Sequence, residues 1–543
     1  MKSAVRSSYR VLLATGALAG GALQAAVNAR TVTARTVTAA GNRRRIRALY
    51  SYAVMIDVFM RQRVVVTTTI RSTRFLTTPT LSTALRRTAA ALIAAAAVAA
   101  FVLRIWGIQN HFWMLEDQMR DWSIALGSFS SLPLVGPPTH VHGYTIGPAF
   151  YWILWAIRVI LGPFFENLPH AGGIGQAALQ TAADALLMVA IWRRTGNPWI
   201  AAATAVVVVT SSFDLALSAL VWNPTMGEML TKTATALVLL NWHRRSSFHL
   251  ALVAGIAWSS VHAYTGAVFV ALSVLFALAV DTWIQRGRVA ATVAVGVIIG
   301  VVAGLQVPYL IHQFSERFAD PAMGVVTGGV SDILAGRAAP EWHKSLTGYR
   351  DAVQSIVVTP WTFAYAGSAL IIGGLLNLVL FRKDLPLLIV VLLPQVTAVV
   401  GYALFLGALD SYYYLSLMPM AVLTVLLPLT AVRWAKPRLT VGVVLLALAT
   451  LTIPQRVATS RTQLRLPEYK MLVSVSRKLR NLHQPLRAIA VEFPLPPTCD
   501  QDFLYRVLGG EMDRSSPWVA VVSASGDIRF INNDLNKGRE GNR

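Results

Sequence analysis

The sequence predicts an all-α polytopic membrane protein with about eleven spanning helices and a small C-terminal α/β domain outside the membrane. Three observations predict it. Only 13% of the 543 residues are charged and 55% are hydrophobic, with a mean hydropathy of +0.55. Soluble domains carry roughly 25% charged residues. The apolar runs are rich in Leu, Ala and Val and last about 20 residues, the length of a helical crossing and not of a barrel strand. Basic residues fall between these runs, where orientation signals belong. In lipid each span must satisfy its own backbone hydrogen bonds, so helices follow.

The net charge of +23 would ordinarily suggest nucleic acid. Its placement suggests otherwise. Residues 1–87 hold fifteen Lys/Arg and one acid, Asp57, and the other basic groups sit mostly between apolar runs. The expected partner is the lipid bilayer, and not nucleic acid. Cys499 is the single cysteine, which excludes an intrachain disulfide and zinc–thiolate sites.

The elements follow in order. Residues 11–28, after Lys2, Arg6 and Arg10, have the look of a signal peptide. Cleavage there would export an Arg-rich segment, against the positive-inside tendency. Residues 31–40 are low complexity and 48–60 is too short to span. Residues 1–85 therefore read as a basic, disordered cytoplasmic extension. Arg86 and Arg87 precede the first span, 88–106. Basic groups then come at Arg193–Arg194, Arg244–Arg245, Arg286 with Arg288, Arg382–Lys383, and Arg433 with Lys436 and Arg438. Keeping all of them cytoplasmic requires two spans between consecutive groups. Hydropathy supplies 174–192 and 198–217, 224–242 and 248–262, 264–283 and 289–308, 357–381 and 385–408, 412–432 and 439–455. Run 250–282 would be about 50 Å as one helix, so it is divided at His262. The transmembrane part is thus 86–455, multi-pass in the cytoplasmic membrane, with a cytoplasmic N-terminus.

Two outer loops are long, 107–173 and 309–356. Segment 146–161 is apolar, but as a span it would invert every later helix. It reads as a helix in the membrane interface, with Tyr151, Trp152 and Trp155 suited to that depth. The tail 456–543 lies outside, with helices at 468–482 and 500–509 and strands at 486–493, 517–523 and 527–532 around a Ser-Gly turn.

Candidate chemistry starts in the first outer loop. Glu116, Asp117, Arg120 and Asp121 stand directly after a span. Such a carboxylate is either the general base for a hydroxyl nucleophile at a cavity mouth or a solvated acidic turn. His140 and His142 lie one residue apart, without a ligand set of metal spacing. Glu228 and Lys232 are four apart in one span and share a helix face. They form either a self-neutralising buried pair or part of a cavity lining. Asp184 sits in mid-span without an evident partner. His262, Tyr412 and Tyr309 fall at outer turns, the depth of an interfacial belt.

Some of these pieces resemble a family. Asp117-Gln118 with Asp121, Gly136-Pro137-Pro138, the run from Gly147-Pro148 to Trp152, and Trp222-Asn223-Pro224 are similar to motifs of bacterial GT-C glycosyltransferases. The sub-group is the dolichyl-phosphate-mannose protein mannosyltransferase and aminoarabinose transferase type, glycosyltransferase family 39-like. The layout covers roughly 88–430, and the sharp part is 113–155 with 222–224. The resemblance implies a GT-C-like fold and a mannosyltransferase-like enzyme of the cell envelope. It would take a sugar from a polyprenyl-phosphate donor and give it, with inversion, to an acceptor hydroxyl on a glycan, glycolipid or secreted protein. The base would be Asp117, with Glu116 as the alternative, because this chain has Glu-Asp where many relatives have Asp-Glu. No cofactor is expected, although a second acid beside the base could hold a divalent ion.

The resemblance also implies donor and acceptor contacts. The candidates are Arg120, Asp121, His140, His142, Tyr144, Asn223, Glu228, Lys232, His262, Lys344, Arg350 and Tyr412. His312, Arg317 and His343 are further candidates to face the leaving phosphate, which needs cationic or hydrogen-bonding groups. Two other classes compete. A transporter would use Asp184, Glu228 and Lys232 as coupling groups, but the two halves of the chain show no repeat. A non-enzymatic scaffold would leave the first-loop acids without a role.

Overall fold

The computed structural model describes residues 83–532 apart from 107, 109–115, 140–142, 166–167, 197, 210–211, 218–220, 357–359, 432–443, most of 445–468, 483–484 and 493–500. The 1–82 part of the N-terminal extension, the span 439–455 and both loop histidines, His140 and His142, therefore lie mostly or wholly outside the described residues.

Helix α1 (Thr83–Ile105) is followed by α2 (Glu116–Ala125), α3 (Ala149–Leu161) and α4 (Leu168–Thr195). The expected span 198–217 is described as α5 (Pro198–Val209) and α6 (Ser212–Leu217). Helices α7 (Asn223–Leu239) and α8 (Ser247–Ala263) come next, then α9 (Val268–Ser315), α10 (Pro321–Leu334), α11 (Trp342–Ile356), α12 (Pro360–Leu380) and α13 (Leu385–Leu404). A 3-10 stretch Ser411–Leu417 leads into α14 (Met418–Leu426). Four of the described helical segments are long and apolar enough to cross a membrane: Leu168–Arg194, Thr265–Ser315, Leu385–Leu404 and Ser411–Thr430. Helix α3 has 13 residues, about 20 Å at 1.5 Å per residue, too short for a crossing.

Element α9 is two helices in one. As a straight rod its 48 residues would measure about 72 Å. Yet Gln306 Oε1 lies 2.6 Å from His262 Nε2, just before the element begins. The chain must turn back, and Gly287 is where it does so, at φ 82. That conformation favours glycine. The break at Gly287 falls between the expected spans 264–283 and 289–308, beside the basic pair Arg286 and Arg288.

The polar turns gather at two ends of the bundle. At one end Arg194 pairs with Asp384 and donates to the Leu239 carbonyl at 3.2 Å. Arg244 grips Asp281 at 2.7 and 2.6 Å, His243 joins at 2.8 Å, and Arg286 donates to the Arg244 carbonyl. These are turns that the charge pattern assigns to one side. At the other end the two long loops meet. Tyr144 N donates to Asp320 at 3.4 Å, and the Tyr144 ring stands edge-on to His312 at 5.8 Å.

The main core joins α4, α7, α8, α9, α13 and α14 through residues such as Leu187, Ala234, Val253, Val274, Val390 and Leu423. A second core gathers Trp122, Phe150, Tyr151 and Val221 with Leu472 and Leu504 of the tail. The tail has α15 (Tyr469–Asn481), β1 (Ala488–Val491), α16 (Gln501–Val507), β2 (Trp518–Val522) and β3 (Ile528–Asn532). Its sheet runs β1-β2-β3, with β1 parallel to β2 (Ile489↔Ala520) and β3 antiparallel to it (Ala520↔Phe530). Gly526, at φ 83, makes the expected Ser-Gly turn. Val475 and Leu479 of α15 cover the sheet, while Leu472 and Val473 reach the long loop 107–173. The tail is docked on that loop.

Candidate active site on the first long loop

Helix α2 begins with two acids, Glu116 and Asp117, which favour a helix N-terminus through the aligned peptide dipoles. Helical spacing then brings Asp117, Arg120 and Asp121 together. Arg120 Nη1 donates to Asp117 Oδ1 at 2.8 Å, and its Nε donates to Asp121 Oδ1 at 2.9 Å. The two carboxylates differ in setting. Asp117 keeps 47% of its side chain exposed, whereas Asp121 keeps 1%. Asp121 also accepts from Tyr151 Oη at 2.9 Å. Burial pushes its carboxyl up to about 6, against the opposing pull of Arg120 and Tyr151. The bare acidic turn is therefore a braced one. Tyr151 itself is a correction to the interface reading: it is 1% exposed, inside the protein.

The Gly/Pro segment folds back on itself. Pro138 bridges Tyr144, and Gly136 N and Thr145 N exchange bonds with the carbonyls of Thr145 and Pro137 at 3.1 and 2.9 Å. Thr145 Oγ1 then donates to the His262 carbonyl at 3.0 Å. A Cβ on Gly147 would meet the His262 ring at 2.3 Å, and one on Gly136 would meet the His262 carbonyl at 2.8 Å. These glycines let the loop lie directly on the end of α8. His262 is itself fully buried, bonded to Gln306, and acts as the seat of the loop. Gly147→Ala is expected to cost about 1–3 kcal/mol through this overpacking. Thermal melting in nanodiscs checks it, and an unchanged midpoint would contradict the seating.

Helix α7 opens on the Trp222-Asn223-Pro224 motif. Pro224 suits a first turn, where its missing N–H is no loss. Gln180 Nε2 of α4 donates to the Thr225 carbonyl at 2.8 Å. Asn223 is half-buried, and the Trp222 ring lies 4.9 Å from that of Tyr412, which stacks on Tyr413 at 4.8 Å. Asp117 acts electrostatically on Tyr412. The first-loop acid, the α7 start and the Tyr412 turn thus share one neighbourhood.

Other candidates lie elsewhere. Lys344 Nζ donates to the carbonyls of Phe405 and Gly407 at 3.1 and 2.7 Å, closing the end of α13. Arg350 is an exposed partner of Asp351 at 2.7 Å; such pairs contribute about 0–1 kcal/mol. His343 and Arg317 are exposed, and Tyr144 and His312 stand where the loops meet.

Glu228 and Lys232 pair at 3.2 Å, as their spacing predicts. They belong to a larger buried group. Lys232 also reaches Asp184 at 2.9 Å and Asp214 at 3.7 Å, and Arg104 bonds Asp184 at 2.6 Å, Asp214, and Thr181 at 3.0 Å. All five ionisable side chains are at most 3% exposed. Asp184 thereby gains the partners the sequence did not name. Of the two readings of Glu228 and Lys232, the geometry fits the self-neutralising one. Arg104 and Asp214 escaped sequence reasoning, although each is a charge inside an apolar run, which was the available signal. Tyr151 escaped as a polar partner because its aromatic neighbours, Trp152 and Trp155, suggested lipid. Among the described residues, no group of three or more His, Cys, Asp or Glu could hold a metal ion.

No family model matches the chain, nor does any curated protein. Some solved structures are similar in course. The oligosaccharyltransferase of Archaeoglobus fulgidus in its apo form matches at TM-score 0.45 and 12% identity, over 74% of this chain and 59% of that one. The same enzyme tethered with an acceptor peptide gives 0.43 and 13%, over 73% and 57%. ArnT from Cupriavidus metallidurans bound to undecaprenyl phosphate gives 0.42 and 12%, over 83% and 88%. In these two structures of the archaeal enzyme, the chain spans under three fifths of its length. At these scores the likeness assigns neither a reaction nor a residue role.

Proposed function

We propose that this chain transfers a sugar from a polyprenyl-phosphate donor to an acceptor hydroxyl at the outer face of the cytoplasmic membrane. It does so from a frame of eleven spans with cytoplasmic N-terminus and extracytoplasmic C-terminal tail. The observation that carries the reading is the half-exposed Asp117 carboxylate, braced by Arg120 beside the Trp222–Asn223 and Tyr412 rim. Asp117 takes the acceptor proton as the hydroxyl oxygen attacks the anomeric carbon. The bond to the carrier phosphate breaks, the phosphate leaves with its electron pair, and the anomeric centre inverts. Asn223 and Tyr412 offer polar contacts on the rim, and Tyr144 and His312 offer others where the two outer loops meet. The resemblance of 113–155 and 222–224 to GT-C transferases points the same way. The transporter reading is less supported, because its coupling groups are closed in a buried ion-pair group with almost no exposed surface.

The test uses the purified chain in nanodiscs with radiolabelled polyprenyl-phosphate sugars and a membrane extract as acceptor. Label is expected to reach the acceptor fraction with the wild type and not with Asp117→Asn. Activity kept by Asp117→Asn but lost in Glu116→Gln would move the base by one residue.

A further inference from the structure

We propose that Tyr151 and Asp121 are positioning residues that fix the Arg120 guanidinium and, through it, the carboxylate of Asp117. The proposal rests on the reading of Asp117 as the base.

The four groups form one chain of contacts running from core to surface. Tyr151, 1% exposed, is locked among Trp122, Phe150 and Leu154, with its ring edge-on to that of Phe150 at 5.4 Å. Its hydroxyl donates to Asp121 Oδ1 at 2.9 Å. The same oxygen takes the Arg120 Nε hydrogen at 2.9 Å. The other side of the guanidinium donates to Asp117 Oδ1 at 2.8 Å. Side-chain exposure rises along the chain, from 1% at Asp121 through 31% at Arg120 to 47% at Asp117. A planar guanidinium held at Nε keeps its other donors in a fixed fork. A carboxylate nearly half exposed would otherwise wander among rotamers, and positioning is worth a great deal to a base.

The arrangement is costly for the fold. A buried carboxylate must be compensated, and among the described residues Asp121 is compensated on one oxygen only. Its Oδ2 is buried without a hydrogen-bond partner among them. An apolar residue would pack there more cheaply, so the charge answers to something other than packing.

The groups acting on Asp121 are Arg120, Tyr151 and Asp117. Elsewhere on the packed elements, Arg158 of α3 donates to the carbonyls of Ala125 and Gly127, at the far end of α2. Arg477 of α15 acts on His170 of α4. Ionised Asp121 holds the guanidinium, and its protonation releases it. The rate is therefore expected to fall as pH drops through about 6. Removing the Tyr151 hydroxyl takes a hydrogen bond from the ionised form, which moves this acid limb upward.

The experiment is the rate of sugar transfer against pH for wild type, Tyr151→Phe, Asp121→Asn and Asp117→Asn, each in nanodiscs and checked by thermal melting. Tyr151→Phe is expected to lower kcat about tenfold, with the donor KM within about twofold of wild type. Its acid limb moves up by roughly half to one pH unit. Asp121→Asn lowers kcat at least as much and removes the limb near 6. If Tyr151→Phe does not fold, the Asp121→Asn profile decides alone. Wild-type kcat and an unmoved limb in the folded variants, beside an inactive Asp117→Asn, would overturn the positioning and leave the base standing. An active Asp117→Asn, or a wild type that transfers nothing, would overturn the base reading and this proposal together.

Discussion

Asp117→Asn is expected to lower kcat by about a thousandfold, within the 10²–10⁴ that a positioned general base contributes. The side chain keeps its size, and the donor KM is expected to stay near the wild-type value. Folding should be little affected. Asp117 is half exposed, and exposed ion pairs contribute about 0–1 kcal/mol. Arg120 keeps its bond to the buried Asp121. A loss confined to kcat removes an interaction made in the transition state. Initial rates with a labelled donor, beside melting curves, measure both. A variant as fast as the wild type would take the base away from Asp117.

Lys232→Met is expected to destabilise the protein by about 3–5 kcal/mol, the loss that follows when one partner of a buried ion pair is removed. Among the described residues the group holds two cations, Arg104 and Lys232, facing Asp184, Asp214 and Glu228. Without Lys232, the charge balance shifts toward three carboxyl groups that are at most 3% exposed. Adding Asp184→Asn removes the carboxylate 2.9 Å from the lysine, and should recover at least part of the loss, since a buried pair can be replaced more cheaply than broken. Thermal melting of the single and double variants checks this. A single variant as stable as the wild type would show that the charges are hydrated, which is what the transporter reading requires.

Much of the frame was legible because lipid allows few solutions. Apolar runs marked helices, four of which among the described residues are long and apolar enough to cross a membrane, and contacts such as Arg194–Asp384 and Arg244–Asp281 bring the basic turns together. The fold-back at Gly287 was legible from Arg286 and Arg288. Tail elements were legible because turn residues and alternation bracket them. What escaped were partners distant in sequence. Nothing local says that Arg104 will meet Asp214, 110 positions later, or that Tyr151 will turn inward to Asp121. Hydropathy reports how apolar a segment is and not which neighbour receives its one polar atom. The resemblance implies a rim position for His262, at the end of an expected span. Its burial follows from the glycines at 136 and 147, which let the loop lie on it.

The most direct measurement is the fate of the lipid. Purified wild-type chain in nanodiscs, given polyprenyl-phosphate sugars and a membrane extract, should convert one of them to free polyprenyl phosphate, followed by mass spectrometry. The account predicts release in step with sugar transfer, and none with Asp117→Asn. Intact donor throughout, with every sugar offered and with folded protein, would contradict it.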